Sequence, residues 1–477
     1  MSSTTVELLE APAHRLDATL PIADRRQGHE AGPSSPSRAY GIASSLESPG
    51  ILQGDKTHDV ISPLPAPSTV SQPLERWNYP RGNTPRVFAA FWSLMVLGMN
   101  DAAYGAIIPY MGPYYNLSYT LVSLIFLSPF VGYTLSAMLN NWIHTHFGQR
   151  GIAVVCSSCH LVAYAVAVAH PPYPVLVIVY MLAGFGNGIA DAAWNAWMGA
   201  MANANEVLGI MHAFYGLGGT LAPLIATAMI TKLGVEWYEY YYVMIAVAAV
   251  EAVALVSTFW KATGQVFRDA HPKTTDNPGK SIMHEALVQM PAARVTWLCA
   301  FFLLGYVGVE VALGGWIVQF MIDVRHGEAF ASGMTATGFW LGLTIGRLIL
   351  GFITPRLGER LAIMIYLPIA MGLELLLWLV PQFVVSAVAV ALQGFFLGPL
   401  FPAAVVAATK SLPKHLHVST IGFAAAFGGG GAAVLPFAVG AIAQSRGVSV
   451  LQPIILTLLG VLLLLWLALP NFNKKRE

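Results

Sequence analysis

A glycine pattern that recurs about 210 residues along the chain constrains the fold more than any other feature of the sequence. At a fixed offset of 210, without gaps, six glycines coincide: Gly98/Gly308, Gly105/Gly315, Gly132/Gly342, Gly148/Gly358, Gly184/Gly394 and Gly188/Gly398. Ten glycines in 91–200 and fourteen in 301–410 would align about once by chance. Arg150 and Arg360 fall in the same register. Both windows are apolar, and small residues at matched points let helices approach closely in lipid. A half that repeats in the same topology is the plan of a two-bundle membrane protein.

Composition supports a membrane setting. Of the 477 residues 56% are hydrophobic and 10% charged, too few charges for the solvated surface of a soluble domain. A hydrocarbon core of about 30 Å needs roughly 20 apolar residues per helix. Twelve such blocks are expected, near 87–110, 118–140, 151–170, 174–200, 207–230, 238–260, 294–320, 331–354, 361–380, 382–408, 418–443 and 450–469. The ends of the eleventh are the hardest to place, because Gly428 to Gly431 interrupt it. The expected fold class is therefore an all-α membrane protein with twelve transmembrane helices in two pseudo-symmetric six-helix bundles. The expected domains are a disordered cytoplasmic tail (1–85), an N-terminal bundle (86–260), a cytoplasmic central loop (261–293), a C-terminal bundle (294–470) and a short cytoplasmic tail (471–477). Eleven of the thirty prolines fall in the first 85 residues, which lack a block long enough to span.

Orientation follows from the Lys/Arg bias. With the tail in the cytoplasm, fifteen Lys and Arg from Arg81 onward lie on inner loops, and only Lys232, Arg325 and Arg446 lie outside. Both termini are thus expected to be cytoplasmic, in a membrane the sequence does not specify. A net charge near +1 gives no nucleic-acid footprint. Cys156-Ser-Ser-Cys159-His160 formally matches a haem-attachment pattern, but it sits within an expected span and reads as small residues packing between helices. No cofactor or metal is expected. No nucleophile–base pair, zinc spacing or phosphate loop points to an enzyme.

Ionisable residues deep in a span cost roughly 2.5–3.5 kcal/mol each and tend to face a cavity. The acids are Asp101, Asp191, Glu251, Glu310 and Glu374, against Arg347 as the one evident buried base. On helix 4, Gly184, Gly188, Asp191 and Asn195 share one face, flanked by Asn187 and Trp194. Helix 1 carries Asn100 and Asp101, with Tyr104 and Gly105 one turn on, and Asn100 corresponds to Glu310 across the repeat. Asp101, Asp191 and Glu310 are therefore expected to couple protons. Asn100, Tyr104, Asn187, Trp194, Asn195, His212 and Trp316 are expected to bind substrate. His160 reads as packing, Glu251 and Glu374 as snorkelling or interhelical polar groups, and Arg347 as a partner of helix ends.

The loops 141–150 and 351–360 resemble the signature loop Gly-x-x-x-Asp-Arg-x-Gly-Arg-Arg of the major facilitator superfamily, with Thr145 and Pro355 in the acidic position. The Asn100-Asp101 pair and the Gly-x-Gly-x-x-Asp191-x-x-x-Asn195 stretch resemble the L-fucose/proton symporter branch. The long Ser/Pro tail is similar to fungal, bypass-of-stop-codon-6-like members. The resemblance implies alternating access, proton coupling at Asp101 and Asp191, and cargo contact by Asn195. Asp191 stands where that branch has Glu, one bond shorter in reach. The expected function is proton-coupled symport of a small polar solute, with a sugar as one cargo that fits; the expected partners are that solute, protons and the lipid bilayer, with the chain a monomer. An uncoupled facilitator and a non-transporting nutrient receptor are the alternatives.

Overall fold

A computed structural model describes residues 75–202, 204–270 and 278–470. Most of the expected tail and the last seven residues therefore lie outside the described residues. Among the described residues, eleven helical stretches are long and apolar enough to cross a membrane. One of them, Tyr119–Val168, is 50 residues long and is broken at Gly148 (φ 69°, ψ −164°), so it crosses twice. Among the described residues this makes twelve crossings.

The spans are numbered in chain order. Span 1 is Asn83–Tyr114. Spans 2 and 3 are residues 124–147 and 149–168, and span 4 is Tyr173–Gly199. Span 5 is Glu206–Leu233, span 6 Tyr240–Phe259 and span 7 Ala292–Asp323. Span 8 is Ala329–Leu357, span 9 Glu359–Leu379, span 10 Phe383–Ser411, span 11 His417–Arg446 and span 12 Leu451–Ala468. Successive crossings alternate between a "Tyr119 end" and a "Gly148 end" of the molecule.

Several helices exceed the expected blocks. Span 1 gains four residues at each end, and the stretch expected as the 141–150 loop remains helical up to its break. Span 11 runs unbroken through Gly428–Gly431. There a Cβ on Gly431 would land on the Leu304 carbonyl, so the glycines bring span 11 onto span 7 rather than interrupt it. The expected central loop holds two further helices, Gly264–Ala270 and Pro278–Val288.

Spans 1 and 7 are the central pair. In their most apolar windows 83% and 72% of residues are buried, against 28% for span 6. Span 1 packs on spans 5 and 6, and span 7 on span 11. Between the halves, span 5 meets span 8, span 2 meets span 11, and span 1 meets span 7.

Two of the repeat pairs make equivalent close contacts in the two halves. A Cβ on Gly132 would strike the Met181 carbonyl, and one on Gly342 the Ala391 carbonyl, its counterpart at +210. Gly184 abuts the Pro129 carbonyl as Gly394 abuts that of Phe339, again at +210. Gly148 and Gly358 both take positive φ, 69° and 83°. In lipid, where apolar helices gain little from hiding surface from water, this backbone-to-backbone closeness is what holds the bundles together.

The halves are closed at one end. At the Tyr119 end, the Tyr119 amide donates to Gln444 Oε1 (2.8 Å) and the Tyr119 hydroxyl to Asp323 (2.7 Å). Lys232 sits over the Phe330 ring at 4.2 Å. Gly105 abuts the Gly314 carbonyl, Gly333 the Thr227 side chain, and Gly440 both Ser123 and Trp316. Toward the Gly148 end, Gly209, Gly351 and Gly422, on spans 5, 8 and 11, face open space. The two halves are thus in contact with each other at the Tyr119 end in this conformation.

Candidate functional site: a polar network at the meeting of spans 1, 4, 5, 7 and 8

Asp101 lies midway along span 1 and is partly exposed. Its Oδ1 accepts from the amides of Asn100 and Asn187, both at 3.1 Å, and its Oδ2 from the Tyr215 hydroxyl at 3.1 Å. Asn100 also donates to the Tyr104 hydroxyl at 3.1 Å. Three of the expected site residues on span 1, Asn100, Asp101 and Tyr104, thus join Asn187 of span 4 in one network. Helical periodicity brings Asn100 and Tyr104 to one side, and Gly98 lets span 5 approach closely enough for Tyr215 to reach across.

Asp191 and Asn195 form a second, local unit. The Asn195 amide donates to Asp191 Oδ1 at 2.8 Å and to the Asp191 carbonyl at 2.9 Å, and both residues are partly exposed. The glycines of the same stripe, Gly184 and Gly188, press on span 2 at Pro129 and at Ser136 with Tyr133. They set the stripe's depth; the two polar residues remain available.

In the other half, Glu310 is ion-paired. Arg347 Nη2 donates to both carboxylate oxygens, at 2.9 and 3.1 Å, with side-chain exposures of 21% for Arg347 and 7% for Glu310. This corrects the expectation for Arg347, which pairs across to span 7 rather than with helix ends. His212 on span 5 lies within electrostatic reach of Arg347.

The two tryptophans sit elsewhere. Trp194 is fully enclosed and stacks on Phe259, centroids 4.6 Å apart. Trp316 is also fully enclosed, donates to the Pro436 carbonyl at 2.9 Å and packs on Tyr119 and Phe126 at the closed end. The site brings neither ring onto the Asp101 network in this conformation.

Behind Asn187 the network continues inward. His160 Nε2 lies 2.9 Å from Asn187 Oδ1, and His160 Nδ1 lies 2.8 Å from Glu251. Ser93 donates to the other Glu251 oxygen at 2.6 Å. His160 and Glu251 are completely buried, so Glu251 is interhelical rather than at the lipid edge. The Cys156 thiol, the His160 Nδ1 and a Glu251 oxygen lie within 4.8 Å of one another. Tetrahedral ligands on one zinc ion stand about 3.3 Å apart, given bonds of about 2.0 Å. The 2.8 Å His160–Glu251 contact is that of a shared proton instead.

These features define a polytopic membrane protein with a polar network where two related bundles meet. The chain belongs to the Major Facilitator Superfamily, whose model matches residues 90–373 and 307–477. It is 28% identical over 417 residues to bypass of stop codon protein 6 of Saccharomyces cerevisiae, covering 82% of this chain and 84% of that one. It is 21% identical over 357 residues to the glucose/mannose transporter GlcP of Bacillus subtilis, covering 74% and 86%. Among solved structures it is similar to the nucleoside transporter NupG, with a TM-score of 0.62, 14% identity and coverage of 82% and 99%. It is also similar to the transporter FucP in an outward conformation, with a TM-score of 0.56, 14% identity and coverage of 81% and 99%. The chain is an integral, multi-pass membrane protein of a family whose members carry small solutes.

Proposed function

We propose that the protein is a proton-coupled symporter of a small polar solute of the sugar class. The observation that supports this best is an asymmetry of charge. Glu310 is neutralised by Arg347, whereas Asp101 and Asp191 are held by neutral amides and a hydroxyl. A carboxyl of that kind can gain or lose a proton without breaking an ion pair. The glucose/mannose carrier among the relatives supports the sugar class.

In this reading both termini are cytoplasmic, the Tyr119 end is the outer face, and the present conformation is the one closed at that face. The cycle then runs in four parts. With the outer end open, Asp101 or Asp191 takes a proton and solute binds between the halves, with Asn195 and Asn100 offering amides. Neutralising the carboxyl lowers the penalty for enclosing it, and the outer end closes. Proton and solute leave toward the Gly148 end. The empty carrier resets.

Reconstituted protein given an acid-outside gradient accumulates a hexose in this reading. Asp191→Asn and Asp101→Asn abolish accumulation, while solute exchange at equal pH persists in at least one of them. Equal wild-type uptake with and without the gradient would refute coupling and leave a facilitator.

A further inference from the structure

The His160 and Glu251 side chains are completely buried, yet Asn187 ties them to the partly exposed carboxyl of Asp101. His160 comes from span 3, Glu251 from span 6 and Asn187 from span 4, and the site is built for the ring. A Cβ on Gly186 would press on His160 Cδ2 and Nε2, so a glycine is what lets the imidazole reach Asn187. The ring stacks on Tyr164, centroids 5.7 Å apart.

The hydrogen bonds fix who donates. Asn187 offers its NH2 to Asp101 and its oxygen to His160. An amide oxygen only accepts, so His160 Nε2 carries a proton. A second proton lies between Nδ1 and Glu251, whichever of the two holds it. With Nε2–H in place the amide cannot turn over without setting donor against donor. Its NH2 therefore stays on Asp101, where it favours the ionised carboxylate.

We propose that His160, oriented by Glu251, is a positioning residue that holds Asp101 ionised by locking the Asn187 amide. Protonation of Asp101 weakens that amide hydrogen bond, because a neutral carboxyl accepts more weakly than a carboxylate. This deepens the symport reading, since it concerns the same carboxyl. The other groups within electrostatic reach of Asp101 are Tyr104 of its own span, Tyr133 of span 2, Tyr164 of span 3, Asp191 of span 4 and Tyr215 of span 5. Those facing the dyad are Ser93 of span 1 and Cys156 and Tyr164 of span 3.

The test reads Asp101 directly, without transport. Infrared titration of the full chain in vesicles follows the protonated-carboxyl band that Asp101→Asn removes. His160→Leu frees the amide to present its oxygen, so the Asp101 midpoint rises by about one pH unit, a tenfold gain in proton affinity. Asn187→Leu raises it comparably. In the Asn187→Leu background, adding His160→Leu moves it little further, because the lock is already gone. Gly186→Ala displaces the ring while keeping the His–Glu pair, and it gives the same upward shift if His160→Leu does not fold. An unchanged or lowered midpoint in both His160→Leu and Gly186→Ala overturns the proposal. So do fully additive shifts, which mean that His160 acts by charge alone, and so does an Asp101 that never titrates between about pH 4 and 10. Loss of gradient-driven uptake in the wild type, with the infrared linkage intact, refutes symport but not the lock.

Discussion

Glu310 and Arg347 illustrate how one side chain's role depends on a neighbour far away in sequence. Removing only Arg347 leaves a nearly buried carboxylate unpaired. Arg347→Leu is expected to destabilise the protein by about 2–3 kcal/mol, below the range for a fully dry pair because Arg347 keeps some exposure. The double variant Glu310→Gln/Arg347→Leu should recover most of that loss in a melting experiment on detergent-solubilised protein. Asn100, Asp101 and Tyr104 could be read from sequence because a polar group at midspan has few reasons to be there except a chamber or a partner. Tyr215 could not, because tyrosine is common in such helices and only the span 1–span 5 contact turns it toward Asp101. His160 looked like packing for the same reason: its depth was evident, but its partners lie 27 and 91 residues away.

At the scale of the helix, the sequence was most informative where the backbone itself makes the contact. Matched glycines predicted matched close approaches, and Gly132 and Gly342, with Gly184 and Gly394, deliver them against carbonyls of equal register. What composition could not supply was where helices end, since an apolar stripe continues past the membrane edge and a single glycine at positive φ decides the break. Gly148 and Gly358 separate two effects. Both carry positive φ, but a Cβ on Gly148 would also meet Ala262 and Thr263, while Gly358 has nothing near it. Gly358→Ala should cost about 1 kcal/mol of backbone strain. Gly148→Ala should cost clearly more, visible as the larger drop in melting temperature of the two variants.

For the whole molecule, the closed end is a small set of contacts whose loss should move a conformational equilibrium. Gly105 of span 1 lies on Gly314 of span 7, next to Gly315, the residue that Gly105 matches in the repeat. The two halves therefore touch near equivalent points. Gly105→Leu cannot close this seam and is expected to favour the state open at the Tyr119 end. A cysteine placed at Thr227 should then react faster with a thiol reagent added from that side. Tyr119→Phe removes the hydrogen bond to Asp323 and should act in the same direction by about 1 kcal/mol, several-fold in population.

The connector between spans 6 and 7 is divided in its allegiance. Its first helix belongs to the first half: Arg268 donates to the Thr145 carbonyl at 2.7 Å, and Phe267 stacks on His144. The backbone just before it is pinned to the break at Gly148 through Ala262 and Arg150. Its second helix belongs to the other half, where Trp297 donates to the Leu287 carbonyl and Glu285 meets His415. Each half thus carries its own strap. A polypeptide severed between Ala270 and Pro278 should reassemble from two co-expressed fragments, and the same spot should accept a fluorescent reporter with little loss of folded yield.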